Sequence, residues 1–289
     1  MKNIIKIILN YKLAYSNWLM VLLAVILKRE IKAKLQNCDV VPTRFLAMQV
    51  KDLVIHGMQP KYNAVRDELI FNYDGKLVIM KGASLNGDIS GVFVREDYKY
   101  LDVAGKFVID VGMNIADSSI YFALNGASKV MAYEPFKKVF KIATENINSN
   151  MLSEKVFPVN AGIGSEDSII RLADLTKITD REIKDSENGI EIPVYSLNTI
   201  IEECQSSEIM LKMDCEGCEY DVFQKVKKEN LSKIKKIMLE YHHGCESLTT
   251  VLGILKQNSF KCTISKPHKS KVSENFIQKV GFLYAERQE

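Results

Sequence analysis

From Lys106 onward the chain repeats one rhythm, and this constrains its fold more than any other feature. A short run rich in valine and isoleucine gives way to a turn and then to a segment of helical periodicity. "KFVIDVG" (106–112) leads into "DSSIYFALNGA" (117–127), and "KVMAYEP" (129–135) into "FKKVFKIATENINSN" (136–150). "KVFPVNAGIG", "EIMLKMD" and "IKKIMLEYH" start three further units, and "FKCTIS" and "VGFLYAER" close the series. Apolar runs without alternation belong to strands covered on both faces. Strands alternating with helices predict an α/β fold with a doubly wound, mostly parallel sheet of seven strands. Right-handed crossovers put the strand ends and the loops after them on one edge, where ligands bind in such sheets. A polar, strand-like insertion runs from Ser165 to Pro193, and "SLNTIIEEC" (196–204) reads as a helix with a serine cap.

The first part of the chain reads differently. Residues 1–36 read as helical, and 67–98 as short strands with turns at "YDG" and "LNG". We therefore divide the chain into an N-terminal helical and β-hairpin region, 1–95, and an α/β domain, 96–289. The uncharged run Trp18–Leu27 has about half the length needed to span a bilayer. No small-residue cleavage site follows it, only "KREIKAK", so it does not read as a signal peptide. The favoured reading is a helix buried in or docked on the protein; the alternative is a helix that contacts a membrane surface or anchors there. The 39 basic and 36 acidic residues nearly cancel, so no strong field points to nucleic acid. Six cysteines without a regular framework suit a reduced, cytoplasmic protein.

The loop after the first strand, "VIDVGMNIADSS", is the nucleotide-site candidate. A dinucleotide fingerprint has three glycines that let backbone approach a pyrophosphate. After Gly112, the other two slots here hold Asn114 and Asp117. A carboxylate would repel a pyrophosphate, so the loop suits a nucleoside ligand without phosphates. Glu134, ending the second strand, is placed to accept hydrogen bonds from ribose hydroxyls. Asp110 is placed to hold a cationic amine, and the amides near Asp117 a carboxylate. An ammonium, a carboxylate and a bare ribose together describe S-adenosylmethionine.

"VIDVGMNIADSSIYFALNGASKVMAYEPF" and "IMLKMDCEGCEYDVF" resemble the two signature blocks of FkbM-type S-adenosylmethionine-dependent methyltransferases. The likeness spans roughly residues 95–265. It implies a class I methyltransferase fold, methylation of a hydroxyl oxygen, and cofactor contacts by Asp110, Gly112, Asn114 and Glu134. It also implies that Asn160 and Ala161 lie beside the adenine. The family commonly has glycine where this chain has Ala116.

"MDCEGCEYDVF" raises the question of chemistry. A redox dithiol needs a depressed thiol pKa, and Asp214, Glu216 and Glu219 act the other way. Cys215, Cys218, His242 and Cys245 have the residue types of a zinc site. We expect instead that the two cysteines fill small slots as thiols. Asp214 is the candidate to position a substrate hydroxyl or a divalent cation, and Glu219 either shares this work or caps a helix. Glu240 and His242 lie two apart on one face of a strand, whereas His243 points the other way. Histidine is the natural base for an alcohol. The reading is an O-methyltransferase in which His242 or Asp214 takes the proton and Glu240 orients a sugar, lipid-linked or small-metabolite acceptor. The alternatives are a non-catalytic binding protein on the same fold and an NAD-dependent oxidoreductase; the absent glycines oppose the latter.

Overall fold

In the computed structural model, residues 2–85, 88–172, 189–215, 217–242, 245–273 and 276–288 are described. The chain forms two compact units. The larger comprises 98–113, 118–141 and 152–289; the other comprises 1–97, 114–117 and 142–151.

The larger unit is built on one sheet. Its main strands are β1 (Phe107–Val111), β2 (Lys129–Tyr133), β3 (Val156–Val159), β4 (Ile209–Met213), β5 (Ile234–Tyr241), β6 (Phe260–Ile264) and β7 (Phe276–Arg287). Their order across the sheet is β3-β2-β1-β4-β5-β7-β6. The first five are parallel, and β7 runs antiparallel between β5 and β6. This is the class I methyltransferase sheet. An additional strand, His268–Ser273, which the sequence reading omitted, pairs with the start of β7.

The apolar runs explain the placement. All five residues of β4 are buried, as expected for a strand with neighbours on both edges and helices on both faces. Order reverses between β1 and β4, whose registers pair Asp110 with Lys212 and Val111 with Met213. The longer helices after β1 are α1 (Asp117–Leu124), α2 (Lys137–Ser149), α3 (Leu197–Glu203), α4 (Glu219–Lys225) and α5 (Cys245–Gln257). The serine cap predicted for α3 is present, since Ser196 Oγ accepts from Thr199 N at 3.1 Å. The insertion supplies strands Ser168–Leu172 and Ile190–Ser196, which pair antiparallel, while Gly162–Gly164 joins the latter in parallel. Residues 173–188 of the predicted insertion lie outside the described residues.

The other unit has helices Lys2–Ala14, Trp18–Ile26 and Arg44–Ile55 and a meander of Lys61–Asn63, Glu68–Tyr73 and Lys76–Lys81. The "YDG" turn is real: Asp74 and Gly75 both have positive φ, 49° and 76°, as a tight hairpin needs. The free edge of Lys76–Lys81 is closed by two asparagines one helical turn apart. Asn146 bonds the amide and carbonyl of Lys81 at 2.7 and 3.1 Å. Asn150 does the same for Ile79 at 3.0 and 2.7 Å. Side-chain amides thus stand in for a missing strand and blunt the edge.

Two expectations for this region need correction. Helix does not extend to residue 36, because the chain leaves it after Ile26 and pairs Ala33–Lys34 with Val40–Val41. "ISGVF" is a short helix rather than a strand; Asp88 caps it by accepting from Gly91 N. The run Trp18–Leu27 is docked along one side rather than buried throughout. It buries Val21 and Ala24, while Leu19, Met20, Leu23 and Ile26 stay about half exposed or more. A helix at the protein surface turns one stripe to its own protein, and here the apolar residues extend beyond that stripe.

Candidate functional site

The site forms where β1, β4 and β5 end. Gly112 turns the chain at the tip of β1 with φ 74°, a conformation that costs an L side chain. A Cβ there would also overlap the backbone oxygen of Asp214 at the tip of β4. Asp214 N in turn donates to Val111 O at 3.1 Å, locking the two tips together.

Beneath them lies a buried ion pair. Lys212 Nζ is 3.1 Å from Asp110 Oδ1, and both side chains are almost entirely buried. The same ammonium donates to the carbonyls of Val111 and Gly112 at 3.1 and 2.6 Å. Ser118 and Ser119, at the start of α1, donate to Asp110 Oδ2 at 2.7 and 2.6 Å. Asp110 is the residue expected to hold a cationic amine. The cation it holds is the chain's own Lys212, and the pair with its hydrogen bonds fixes the switch-point turn. The sequence signal was a lysine inside an apolar strand, "IMLKMD", because a buried charge requires a partner.

Glu134, just past β2, is buried and accepts from Phe136 N at 2.9 Å through Oε1. Asn160 Nδ2 donates to the carbonyls of Glu134 and Pro135 at 2.8 and 3.1 Å, tying the tips of β2 and β3 together. Ala161 beside it is fully buried. Asn114 and Ala116 have φ of 51° and 71°. Ala116 thus holds a left-handed backbone conformation, which glycine adopts without steric cost. The turn from Gly112 to Asp117 carries no basic residue. Its chemistry suits a ligand without phosphates.

At the other side of the switch point, β4 and β5 pair Met213 with Leu239, so Asp214 and Glu240 follow as neighbours. His242 meets both. Its Nε2 lies 3.7 Å from Asp214 Oδ1 and 3.7 Å from Glu240 Oε1. Its Nδ1 lies 3.2 Å from Glu219 Oε1. Glu219 is fully buried in the first turn of α4 and also accepts from Cys215 N at 3.2 Å. Nδ1 thus faces a buried carboxylate, while Nε2 faces Asp214 and Glu240. The hydroxyl of Tyr220 donates to the backbone oxygen of His242, holding the loop. His242, Asp214 and Glu240 meet here as their positions at the strand ends predict, whereas nothing in the sequence assigns Glu219 to His242.

The cysteine expectation fails. Cys215 and Cys218 form a disulfide across a turn in which Gly217 takes φ 124°, bringing the two Cα atoms within 5.5 Å. They are neither small-slot thiols nor zinc ligands. Glu216, His243 and the side chain of Cys245 lie outside the described residues.

The sequence model of the methyltransferase FkbM domain matches residues 110–262, more than half of the chain. This chain belongs to the FkbM methyltransferase family. Its family and fold are those of S-adenosylmethionine-dependent methyltransferases. No curated protein sequence matches it significantly. Among solved structures, this FkbM domain protein is similar to precorrin-6y C5,15-methyltransferase from Geobacter metallireducens. The identity is 13%, the match covers 67% of this chain and 86% of that one, and the TM-score is 0.41. It is also similar to precorrin 8w decarboxylase from Methanobacterium thermoautotrophicum, with 12% identity, 72% and 96% coverage and a TM-score of 0.43. A third is P. horikoshii TYW2 in complex with MeSAdo, with 15% identity, 77% and 73% coverage and a TM-score of 0.41.

Proposed function

We propose that this FkbM methyltransferase methylates a hydroxyl oxygen, with His242 accepting the proton. The observation that carries this is His242 held between Glu219 at Nδ1 and the Asp214–Glu240 pair at Nε2. Glu219 keeps the proton on Nδ1 and stabilises the imidazolium once Nε2 takes a second. Glu240 and Asp214 are each about one quarter exposed, so they can meet an acceptor from solvent. They orient its hydroxyl toward Nε2, and positioning supplies most of the rate. When bound, S-adenosylmethionine supplies an electrophilic methyl group. Glu134 would hold its ribose, the turn of Gly112, Asn114 and Asp117 its amino-acid end, and Asn160 and Ala161 its adenine. The acceptor class is a sugar, a lipid-linked sugar or a small hydroxylated metabolite.

A second reading uses the same corner. One ligand atom each from Asp214, Glu240 and His242 lie within 4.8 Å of one another, close enough for a divalent cation to bridge them. In that case the ion would orient the acceptor and lower the pKa of its hydroxyl.

The test is S-adenosylhomocysteine formation with fractionated sugar, glycolipid and metabolite acceptors. His242→Ala should lower turnover at least about tenfold, roughly 1.4 kcal/mol of barrier, while cofactor affinity holds. Turnover abolished by chelator and restored by magnesium would favour the cation reading. Cofactor binding without product from any acceptor would leave the non-catalytic alternative.

A further inference from the structure

We propose that the N-terminal helical pair docks this protein on an anionic lipid surface. Helix Lys2–Ala14 exposes Ile5, Leu9 and Leu13, spaced four apart on one stripe, by 56 to 57%. Helix Trp18–Ile26 exposes Leu19, Leu23 and Ile26, again one stripe, by 48 to 65%. Both helices lie in the same compact unit, within 1–97. Exposed apolar surface on this scale marks a face that something covers.

Charge identifies the occupant. Residues 1–29 hold five basic residues (Lys2, Lys6, Lys12, Lys28 and Arg29) and no acidic one. The remaining 260 residues hold 34 basic and 36 acidic residues, so the whole positive excess of the chain sits in this segment. An apolar stripe bordered by cations complements an interface of acyl chains beneath anionic headgroups. Lysines next to such a stripe bury their methylenes and keep their ammonium groups at headgroup level. A second copy of this chain would bring five like charges against five, which opposes self-pairing. Nor is the pair a spanning element: among the described residues no helix is long and apolar enough to cross a membrane. The helices therefore lie along the interface.

The experiment is sedimentation of the full-length chain with vesicles of phosphatidylcholine alone or mixed with phosphatidylglycerol, at low and high salt. The expected result is capture by the phosphatidylglycerol vesicles, weakened by salt. Leu23→Glu with Ile26→Glu should weaken capture at least about tenfold, through lost apolar contact. Lys28→Glu with Arg29→Glu should weaken it at least about twentyfold; these exposed positions leave the fold intact. Circular dichroism of both variants should match the parent. No capture by phosphatidylglycerol vesicles, or equal capture of the parent and both variants, overturns the proposal. So does a dimer in sedimentation velocity without lipid that the Leu23→Glu, Ile26→Glu variant dissociates, because the face then joins two copies.

Discussion

Substituting two glycines separates two costs that coincide at the switch point. Gly75 and Gly112 have nearly the same φ, 76° and 74°. Around Gly75 an added Cβ meets nothing within 4 Å; at Gly112 it overlaps the backbone oxygen of Asp214. Gly75→Ala therefore pays only for left-handed backbone. That cost is about 1–2 kcal/mol, less about 0.4–1 regained from a stiffer unfolded chain, leaving roughly 1 kcal/mol. Gly112→Ala adds the separation of the β1 and β4 tips. The bond from Asp214 N to Val111 O is lost, about 1 kcal/mol, and so is the charged bond from Lys212 to Gly112 O, about 1.5–3 kcal/mol. The expected loss is then about 3.5–5 kcal/mol. Urea unfolding followed by circular dichroism measures both variants. If the two alanines cost the same, the close approach at Gly112 carries no energy and the account of the turn is wrong.

Other outcomes follow from particular contacts. Glu134→Ala should weaken S-adenosylmethionine binding by on the order of 2 kcal/mol, about thirtyfold, in a calorimetric titration; unchanged affinity removes Glu134 from the site. Asp214→Asn should cut turnover at least about tenfold at unchanged cofactor affinity, and a rate equal to the parent's would refute a role for its charge. The unreduced protein should yield a peptide carrying Cys215 and Cys218 lighter by two hydrogens. Replacing both by serine should cost no more than about 2 kcal/mol, because the loop they close is short. Burial pushes the Cys204 thiol up to about 11. A raised thiol pKa leaves less thiolate, so at pH 8 a thiol reagent should modify exposed Cys38 first. Cys204 should react faster only as pH climbs toward that value.

The sheet was legible because each strand carries its own signal. "FVIDV", "IMLKM" and "IMLEY" are apolar without alternation, and burial on both faces requires that composition wherever the strand lies. Turn chemistry was local too, at "YDG", at Gly112 and at the serine cap of α3. So was the corner of Asp214, Glu240 and His242, since residues at the tips of adjacent parallel strands must converge. What was not legible depended on contacts between distant residues. Whether Trp18–Leu27 is covered depends on what the rest of the protein offers it, and the run itself is apolar on every side. Nothing near Asp110 in sequence shows that its partner is Lys212, a hundred positions on. Glu219 could cap a helix or face a histidine, and only the packing of α4 against the end of β5 turned it to His242. Cys215 and Cys218 have the same spacing as thiols, as zinc ligands or as a disulfide; the backbone path through Gly217 decided among them. Local chemistry is written residue by residue, whereas a buried charge or thiol takes its role from whichever group folding brings within about 3 Å.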